Sequence, residues 1–437
     1  MESQLSQDEW QTFLQALQAA PPVCIRLNPN KPTNASRTES IPWCSTGYYL
    51  PERPSFTLDP VFHAGAYYVQ EASSMFLEQV VKQTLDLNQS LKVLDLCAAP
   101  GGKSTHLLSL INTESLLISN EVIRARTNIL CESIQKWGNA NVVITQHDPS
   151  HFKDLAGYFD LIVVDAPCSG EGLFRKEPDS ISEWSPANVE LCSQRQKRIL
   201  ADVFPALKQN GILIYSTCTF NKQENECNLK WLADQHDIEF LKIDCRSDWG
   251  VYESSMEGAI GYRFYPHRAK GEGFFITAIR KLGFETPIKL QANQPFKVLK
   301  ETGQLNSWIM DSGHYHFIMN KEEVRLIPRQ YIKDIEFMAT HFGIVAAGTA
   351  VGSFKHDKLI PDHALALSTK LDHNQLATFE LSKEEALAYL RKDNLTIATE
   401  RTGLGLVTHS KLALGWVNVL KNRVNNLYPM NWRIRNK

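Results

Sequence analysis

The centre of this chain is predicted to be a doubly wound, mostly parallel α/β sheet, and three features say so. From Leu91 onward, short apolar runs alternate with amphipathic helices. The runs lack the polar–apolar alternation of a half-exposed sheet, so helices are expected on both faces. The first run, Lys92 to Leu96, ends in a glycine-rich turn that opens a helix. Sheets of this class hold ligands beyond the carboxyl ends of their strands. Functional residues are therefore expected where each strand stops.

The elements follow in order. Ser6 and Glu9 read as a capping box for a helix with Trp10, Phe13, Leu14 and Leu17 on one face, stopped by Pro21 and Pro22. Cys24 to Pro60 is rich in Pro, Asn and Ser, and with a strand at Val23 to Leu27 it reads as a small irregular N-terminal domain. The sheet then takes strands at Lys92–Leu96, Leu116–Ser119, Val142–Thr145, Phe159–Val164 and Ile212–Ser216, with a late strand at Gly273–Arg280. Helices are expected at Lys103–Ile111, at Ile123–Trp137 closed by Gly138, and at Val189–Lys208 ended by Asn210-Gly211. After Leu282 the pattern becomes α+β. Ser382 and Glu385 form a second capping box, with Ala386, Leu387, Tyr389 and Leu390 turned inward. Domains are expected over 1–75, 76–282, 283–380 and 381–437, near the count that 437 residues imply.

Composition narrows the class. Forty-six Lys and Arg against 48 Asp and Glu give a net charge of −2, which argues against a protein basic all over. The longest apolar stretch, Phe342 to Phe354, is broken by glycines and a threonine, so no membrane span is expected. The N-terminus lacks the basic stretch of a signal peptide. Nine cysteines without a C-x-x-C pair point to free thiols in a reducing cytoplasm and to no metal site. His147 and His151 are four residues apart, but Pro149 between them speaks against a metal-binding helix.

The turn after the first strand reads Asp95-Leu96-Cys97-Ala98-Ala99-Pro100-Gly101-Gly102-Lys103. Its small residues admit a ligand close to the backbone, and the helix behind offers unpaired N–H groups. Alone it fits a dinucleotide, a nucleotide or S-adenosylmethionine. Glu121, about twenty residues on, is placed to accept from both ribose hydroxyls. Asp148 follows the third strand and is placed to accept from an adenine amino group. Together they describe an adenosine pocket.

Strand four runs into Asp165-Ala166-Pro167-Cys168-Ser169-Gly170-Glu171-Gly172, and strand five into Ser216-Thr217-Cys218-Thr219-Phe220. As sheet neighbours these strands would aim both thiols into one cleft beside the cofactor. A thiolate that adds to C6 of cytosine makes C5 nucleophilic toward a methyl group, and a second thiol can assist loss of the C5 proton. Asp165, if protonated or through its backbone neighbourhood, would hold the N3/N4 edge of the base, with Lys103 adding positive charge. A paired base would have to be extruded.

Asp95 to Ser104 (DLCAAPGGKS), Asp165 to Gly172 (DAPCSGEG) and Ser216 to Phe220 (STCTF) resemble the motifs of the NOL/NOP/Sun RNA cytosine-C5 methyltransferases. Gly170 to Asp179, Pro361 to Leu367 and Gly415 to Ile434 look like the RsmF type of bacterial 16S ribosomal RNA methyltransferase, with a PUA-like RNA-binding C-terminus. The resemblance implies a Rossmann-like methyltransferase core. It implies S-adenosylmethionine held by Cys97, Ala98, Ala99, Pro100, Gly101, Gly102 and Lys103 with Glu121, Asp148 and Asp165. It implies Cys218 as nucleophile and Cys168 as the thiol aiding product release, an order that spacing alone does not set. DNA cytosine-C5 methyltransferases carry the nucleophile in a Pro-Cys element, whereas the Thr-Cys element here favours the RNA enzymes. Cys97 reads also as a backbone-packing residue of the turn.

The expected partner is ribosomal RNA or the small ribosomal subunit, with a monomer favoured. From Arg401 to Lys437 there are seven Lys or Arg and no acid, interleaved with Trp416, Tyr428 and Trp432, which suits phosphates and exposed bases. Arg175 and Lys176 are placed to clamp a phosphate, and Arg26 and Asn28 to touch RNA. The competing readings are a cytosine methyltransferase of tRNA, other RNA or DNA, and a non-catalytic RNA-binding assembly factor. Residues 284–338 match no motif.

Overall fold

The computed structural model describes residues 5–34, 37–291, 293–300, 302–355 and 358–435. Its central sheet starts with β1 (Lys92–Asp95), α1 (Gly102–Leu110), β2 (Leu116–Asn120), α2 (Arg124–Trp137), β3 (Val142–Thr145) and β4 (Phe159–Asp165). It continues with α3 (Pro186–Val203), β5 (Leu207–Thr217), α4 (Glu226–Gln235), β6 (Tyr252–Met256), β7 (Ala259–Phe264), β8 (Phe274–Lys281) and β9 (Ile344–Ala347). The strand order is β6-β7-β8-β5-β4-β1-β2-β3-β9. The five strands β5, β4, β1, β2 and β3 run parallel; β8 and β9 pair antiparallel with the flanking β5 and β3, and β7 and β6 extend the sheet beyond β8 by further antiparallel pairing. Every residue of β2 and β3 is buried, as expected for a sheet covered on both faces.

Helix α3 differs from the sequence expectation. It begins at Pro186, where Ser185 accepts from the N–H of Asn188, and ends at Val203 because Pro205 cannot continue it. Asn210 and Gly211, expected to end the helix, instead lie inside β5, with Asn210 at φ 63°. The N-terminal helix, Gln7–Gln18, carries only half of the expected capping box. Ser6 accepts from Glu9 N–H, while the Glu9 carboxylate reaches across to Arg268 and His267. Phe13 of this helix packs edge-on against Phe220, whose ring stacks on Tyr265.

The N-terminal sheet, made of Val23–Leu27, Glu39–Ser40, Gly47–Leu50 and Tyr67–Val69, is tied to the central sheet by side chains that sequence reading assigned to RNA. Arg26 is fully buried. Its guanidinium donates to Gln70 (2.8 Å), Thr105 Oγ1 (2.6 Å) and Gly102 O (3.2 Å), and lies 4.6 Å from the Trp137 ring centroid. Asn28, also buried, donates to the carbonyls of Gly65 and Trp137. Neither side chain is free to meet RNA, because the domain seam uses their donors. Glu78 on a neighbouring helix accepts from Ser45 N–H, Lys82, His106 and the Cys44 thiol, a second buried tie across the same seam.

Residues 297–361 form a five-stranded sheet and the helix Ile332–His341. Ile335, Phe337 and Met338 of that helix join the core, and β9 extends the central sheet at β3. Lys92 and Tyr158 both donate to Asp334 at 2.6 Å, which anchors this region to the catalytic sheet. The C-terminal four-stranded sheet, Ala377–Glu380, Gly403–His409, Leu412–Leu420 and Arg423–Asn426, packs with the helix Lys383–Arg391, whose capping box forms in full. It shares one core with the N-terminal strands, through Ile25, Leu27, Tyr67, Tyr389 and Leu414. Trp416 and Tyr428 are each 1% exposed. They fill that part of the core and its neighbour rather than offering faces to bases, and Trp432 is half-buried. No described helix is long and apolar enough to cross a membrane.

The Arg26→Met variant is expected to lose about 3 kcal/mol of unfolding free energy, since several charge-assisted hydrogen bonds vanish at a buried seam. Urea unfolding checks this. Unchanged stability with weakened RNA binding would restore the RNA-contact expectation.

Candidate active site

The turn beyond β1 is held open from behind. Ala98 N–H donates to Asn120 O (2.8 Å), Arg126 to Ala99 O (2.7 Å) and Ser133 to Pro100 O (2.7 Å). Gly101 sits at φ 114°, and a Cβ there would lie 2.7 Å from Ser133 Cβ. Only glycine lets the turn enter α1 here. The first amides of α1 have no partner within the helix and face the ends of the strands.

Below the turn, Asp95 is fully buried. Its Oδ2 accepts from Ser104 Oγ (2.6 Å), which in turn accepts from Ser119 Oγ (2.9 Å), while Oδ1 has no partner. Burial pushes the Asp95 carboxyl up to about 7, against the Ser104 hydrogen bond and the charge of Lys103. Glu121, at the end of β2, is 2% exposed. One oxygen accepts from Ile123 N–H (2.9 Å); the other lies 3.3 Å from Arg126 and has no hydrogen bond. A buried carboxylate oxygen left open beside a glycine turn fits a ribose hydroxyl. Asp148 is more open; it caps the next turn through Ser150 N–H and pairs with Arg198 at 3.1 Å. His147 and His151 stack beside it, with His147 Nε2 3.1 Å from the Gly343 carbonyl.

The register of β4 on β5 places Asp165 opposite Ser216 and Val164 opposite Tyr215. Three residues beyond Asp165 and two beyond Ser216, the chains bring Cys168 Sγ and Cys218 Sγ to 2.9 Å. Ala166 N–H donates to Ser216 O and Gly172 N–H to Cys218 O, so both loops are cross-bonded. A Cβ on Gly172 would lie 2.4 Å from Gly273 O and 2.8 Å from Cys218 O, which only glycine avoids. The hydrogen bond with Cys218, burial and nearby negative charge, including Glu224, push the Cys168 thiol well above its usual value. Cys97, in the cofactor turn, is pushed up mainly by burial and then by Asp95 and Asp165.

Lys103 Nζ lies 2.7 Å from Asp165 Oδ2, and Ser216 Oγ donates to Asp165 Oδ1 at 2.7 Å. Both oxygens act as acceptors.

The family described as 16S rRNA methyltransferase RsmB/F matches residues 82–280. The N-terminal domain of 16S rRNA methyltransferase RsmF matches residues 1–72, and the methyltransferase RsmF PUA domain residues 376–434. The ribosomal RNA small subunit methyltransferase F of Escherichia coli O157:H7 is 31% identical over 417 residues, covering 89% of this chain and 83% of that protein.

The chain belongs to the RsmF family of ribosomal RNA methyltransferases.

The protein of the same name from Enterobacter sp. (strain 638) is 30% identical over 409 residues, covering 89% of this chain and 83% of its own. Among solved structures, a methyltransferase homologue from Pyrococcus horikoshii aligns with TM-score 0.55 and 28% identity, over 64% of this chain and 92% of that one. NSun6 from the same organism, solved with SFG, shares the fold at TM-score 0.52 and 20% identity, over 63% of this chain and 95% of that one.

In this RsmF-family chain one expected RNA contact fails near the thiols. The Arg175 side chain is only 6% exposed, paired with Glu272 at 2.8 Å and bonded to the carbonyls of Gly271 and Ala16. It clamps the N-terminal helix, not a phosphate. Lys176 remains exposed. Sequence reading passed over Glu171, Asn221 and Glu224, which gather under the two cysteine loops. For Asn221 and Glu224 the signal was the dense polar run NKQENE directly after STCTF, unusual between a buried strand and a helix.

Asp95 carries a testable pH signature. Its folded value near 7 stands above the usual unfolded value of about 3.9. Its contribution to stability is therefore complete below about pH 4 and lost as pH rises through about 7. The stability margin of wild type over Asp95→Asn is expected to shrink between about pH 4 and 8 in urea titrations. A margin constant with pH contradicts the assignment.

Proposed function

We propose that this RsmF-family chain forms 5-methylcytosine in small-subunit ribosomal RNA, with S-adenosylmethionine as donor and a covalent Cys218–C6 adduct. The observation that carries the reading is the pair of sulfurs 2.9 Å apart at the ends of adjacent parallel strands, beside Asp165 and Lys103. A disulfide-free thiol pair at the ligand-binding edge of such a sheet suits addition and elimination on one ring.

The residues divide the work as follows. The turn Cys97–Lys103 with Glu121 and Asp148 holds the donor, whose bound form supplies an electrophilic methyl group. Asp165 accepts from the exocyclic amine of the base and is held in place by Lys103 and Ser216. Cys168 retains the proton of the thiol pair, so that Cys218 reacts as a thiolate. The new C6–S bond moves electron density to C5, which takes the methyl group. Loss of the C5 proton then restores the double bond, breaks the C6–S bond and returns the electron pair to Cys218. Water takes the C5 proton, and the Cys168 S–H assists release of the Cys218 sulfur through its hydrogen bond.

RNA is held chiefly through its phosphates. Arg401, Lys411, Lys421, Arg423, Arg433 and Arg435 are exposed on the C-terminal domain, whereas Trp416 and Tyr428 are in the core. Lys437 lies outside the described residues. Binding should therefore weaken steeply with salt.

Cys218→Ala is expected to abolish transfer of labelled methyl to 16S rRNA, and Cys168→Ala to accumulate a protein–RNA adduct that survives a denaturing gel. Full activity in the first variant, or no adduct in the second, overturns the assigned roles. Stronger labelling of tRNA or duplex DNA than of small-subunit RNA overturns the substrate.

A further inference from the structure

Two carboxylates lie beneath the thiols and have no part in the scheme above. Glu224 is fully buried and Glu171 is 5% exposed. Glu224 accepts from Ser169 N–H (3.0 Å), Ser169 Oγ, Gln196 Nε2 (2.8 Å) and Asn221 Nδ2 (2.7 Å). Glu171 accepts from Thr219 Oγ1 (2.9 Å), Phe220 N–H (3.0 Å), Trp184 Nε1 (3.0 Å) and Asn221 Nδ2 (3.3 Å). Ser169 is the residue after Cys168, and Thr219 is the residue after Cys218. The carboxylates therefore sew one cysteine loop to the other, with the Asn221 amide shared between them.

All these donors are neutral. Among the described residues no Lys or Arg pairs with Glu171 or Glu224. Of the nearby cations, Arg263 is engaged by Glu226, Arg175 by Glu272 and Lys103 by Asp165, while Arg195 of α3, near Cys192, and Lys222, two residues before Glu224, form no ion pair with either carboxylate. The other titratable groups here are Cys192 of α3 and Tyr215 of β5, whose hydroxyl donates to the Glu224 carbonyl (2.6 Å). From α4 come the neutral amides of Asn225 and Asn228. Burying a carboxylate without a cation is costly, and a glutamine would tie the loops with less desolvation. The charge itself needs a use.

We propose that Glu224 is a positioning residue for the two-thiol reaction, fixing the Cys168 loop against the Cys218 loop and holding the proton of the thiol pair on Cys168. A negative charge bonded to the backbone of Ser169 disfavours a thiolate on the adjoining Cys168. The negative sulfur of the pair is then Cys218, stabilised by the hydrogen bond from Cys168. Glu224 acts through the thiols and not on the base. The inference rests on the reading of Cys218 as the attacking sulfur.

The test pairs methyl transfer with iodoacetamide labelling of each cysteine, mapped by peptide mass across pH. Glu224→Gln is expected to lower transfer at least about tenfold with donor affinity unchanged. Removing the charge should also move Cys168 labelling to lower pH. Glu224→Asp keeps the charge and shortens the tie, so it should lose transfer while keeping the wild-type labelling profile. Loss of activity in Glu224→Gln without a shift in Cys168 labelling would leave only a structural role and overturn the proposal. If Glu224→Gln does not fold, Asn221→Ala unties the same loops with both charges kept. It should lose transfer without a downward labelling shift, and full activity there overturns the proposal. Absence of an adduct in Cys168→Ala refutes the two-thiol reaction; methyl transfer by Glu224→Gln equal to wild type refutes only the role of Glu224.

Discussion

The site depends on the parallel pairing of β4 with β5. Only with Asp165 opposite Ser216 do the loops that follow meet sulfur to sulfur. A register shift of one residue would turn Cys168 and Cys218 to opposite faces of the sheet. The register is set by burial: β4 and β5 are apolar on both sides and covered by α3 and α4 on one face. The outer strand β8 then fixes the far side of β5, and Gly172 and Gly273 allow the cysteine loop to close onto it.

Around that pair the charges are sorted. On the cofactor side, Lys103 meets Asp165, Arg126 approaches Glu121, and Arg198 meets Asp148. Beneath the thiols, Glu171 and Glu224 are satisfied by neutral donors alone. The two settings differ in what they favour. In the proposed reaction the first offers carboxylates as acceptors for a nucleoside and a base, while the second biases a shared proton. Burial makes the second effect larger than the same charges would have at the surface, whereas Arg126, Arg198 and Asp148 of the first set stay open to water.

Much of this was legible in the sequence, and the part that was not has physical reasons. Apolar runs located the parallel strands because both faces are buried, and the strand-end motifs located the turn and the thiols. The end of α3 was placed too late because Asn210-Gly211 looks like a helix stop, although Pro205 comes first. Arg26, Asn28 and Arg175 looked like RNA contacts because sequence shows charge and not enclosure; each is spent on a seam between domains. Trp416 and Tyr428 misled in the same way, being aromatic in a basic tail yet needed for the core. What Glu171 and Glu224 join was not legible, because their partners come from four separate segments, a convergence that no spacing encodes.

The division of labour between the two sulfurs is the central claim, and one measurement addresses it directly. RNA substrate carrying 5-fluorocytidine has no C5 proton to lose, so the adduct cannot resolve after methyl transfer. Incubation with donor, followed by proteolysis and mass analysis, would show which cysteine carries the nucleotide. The account predicts the modified peptide to be the one containing Cys218, with Cys168 unmodified; a nucleotide on Cys168 would contradict it.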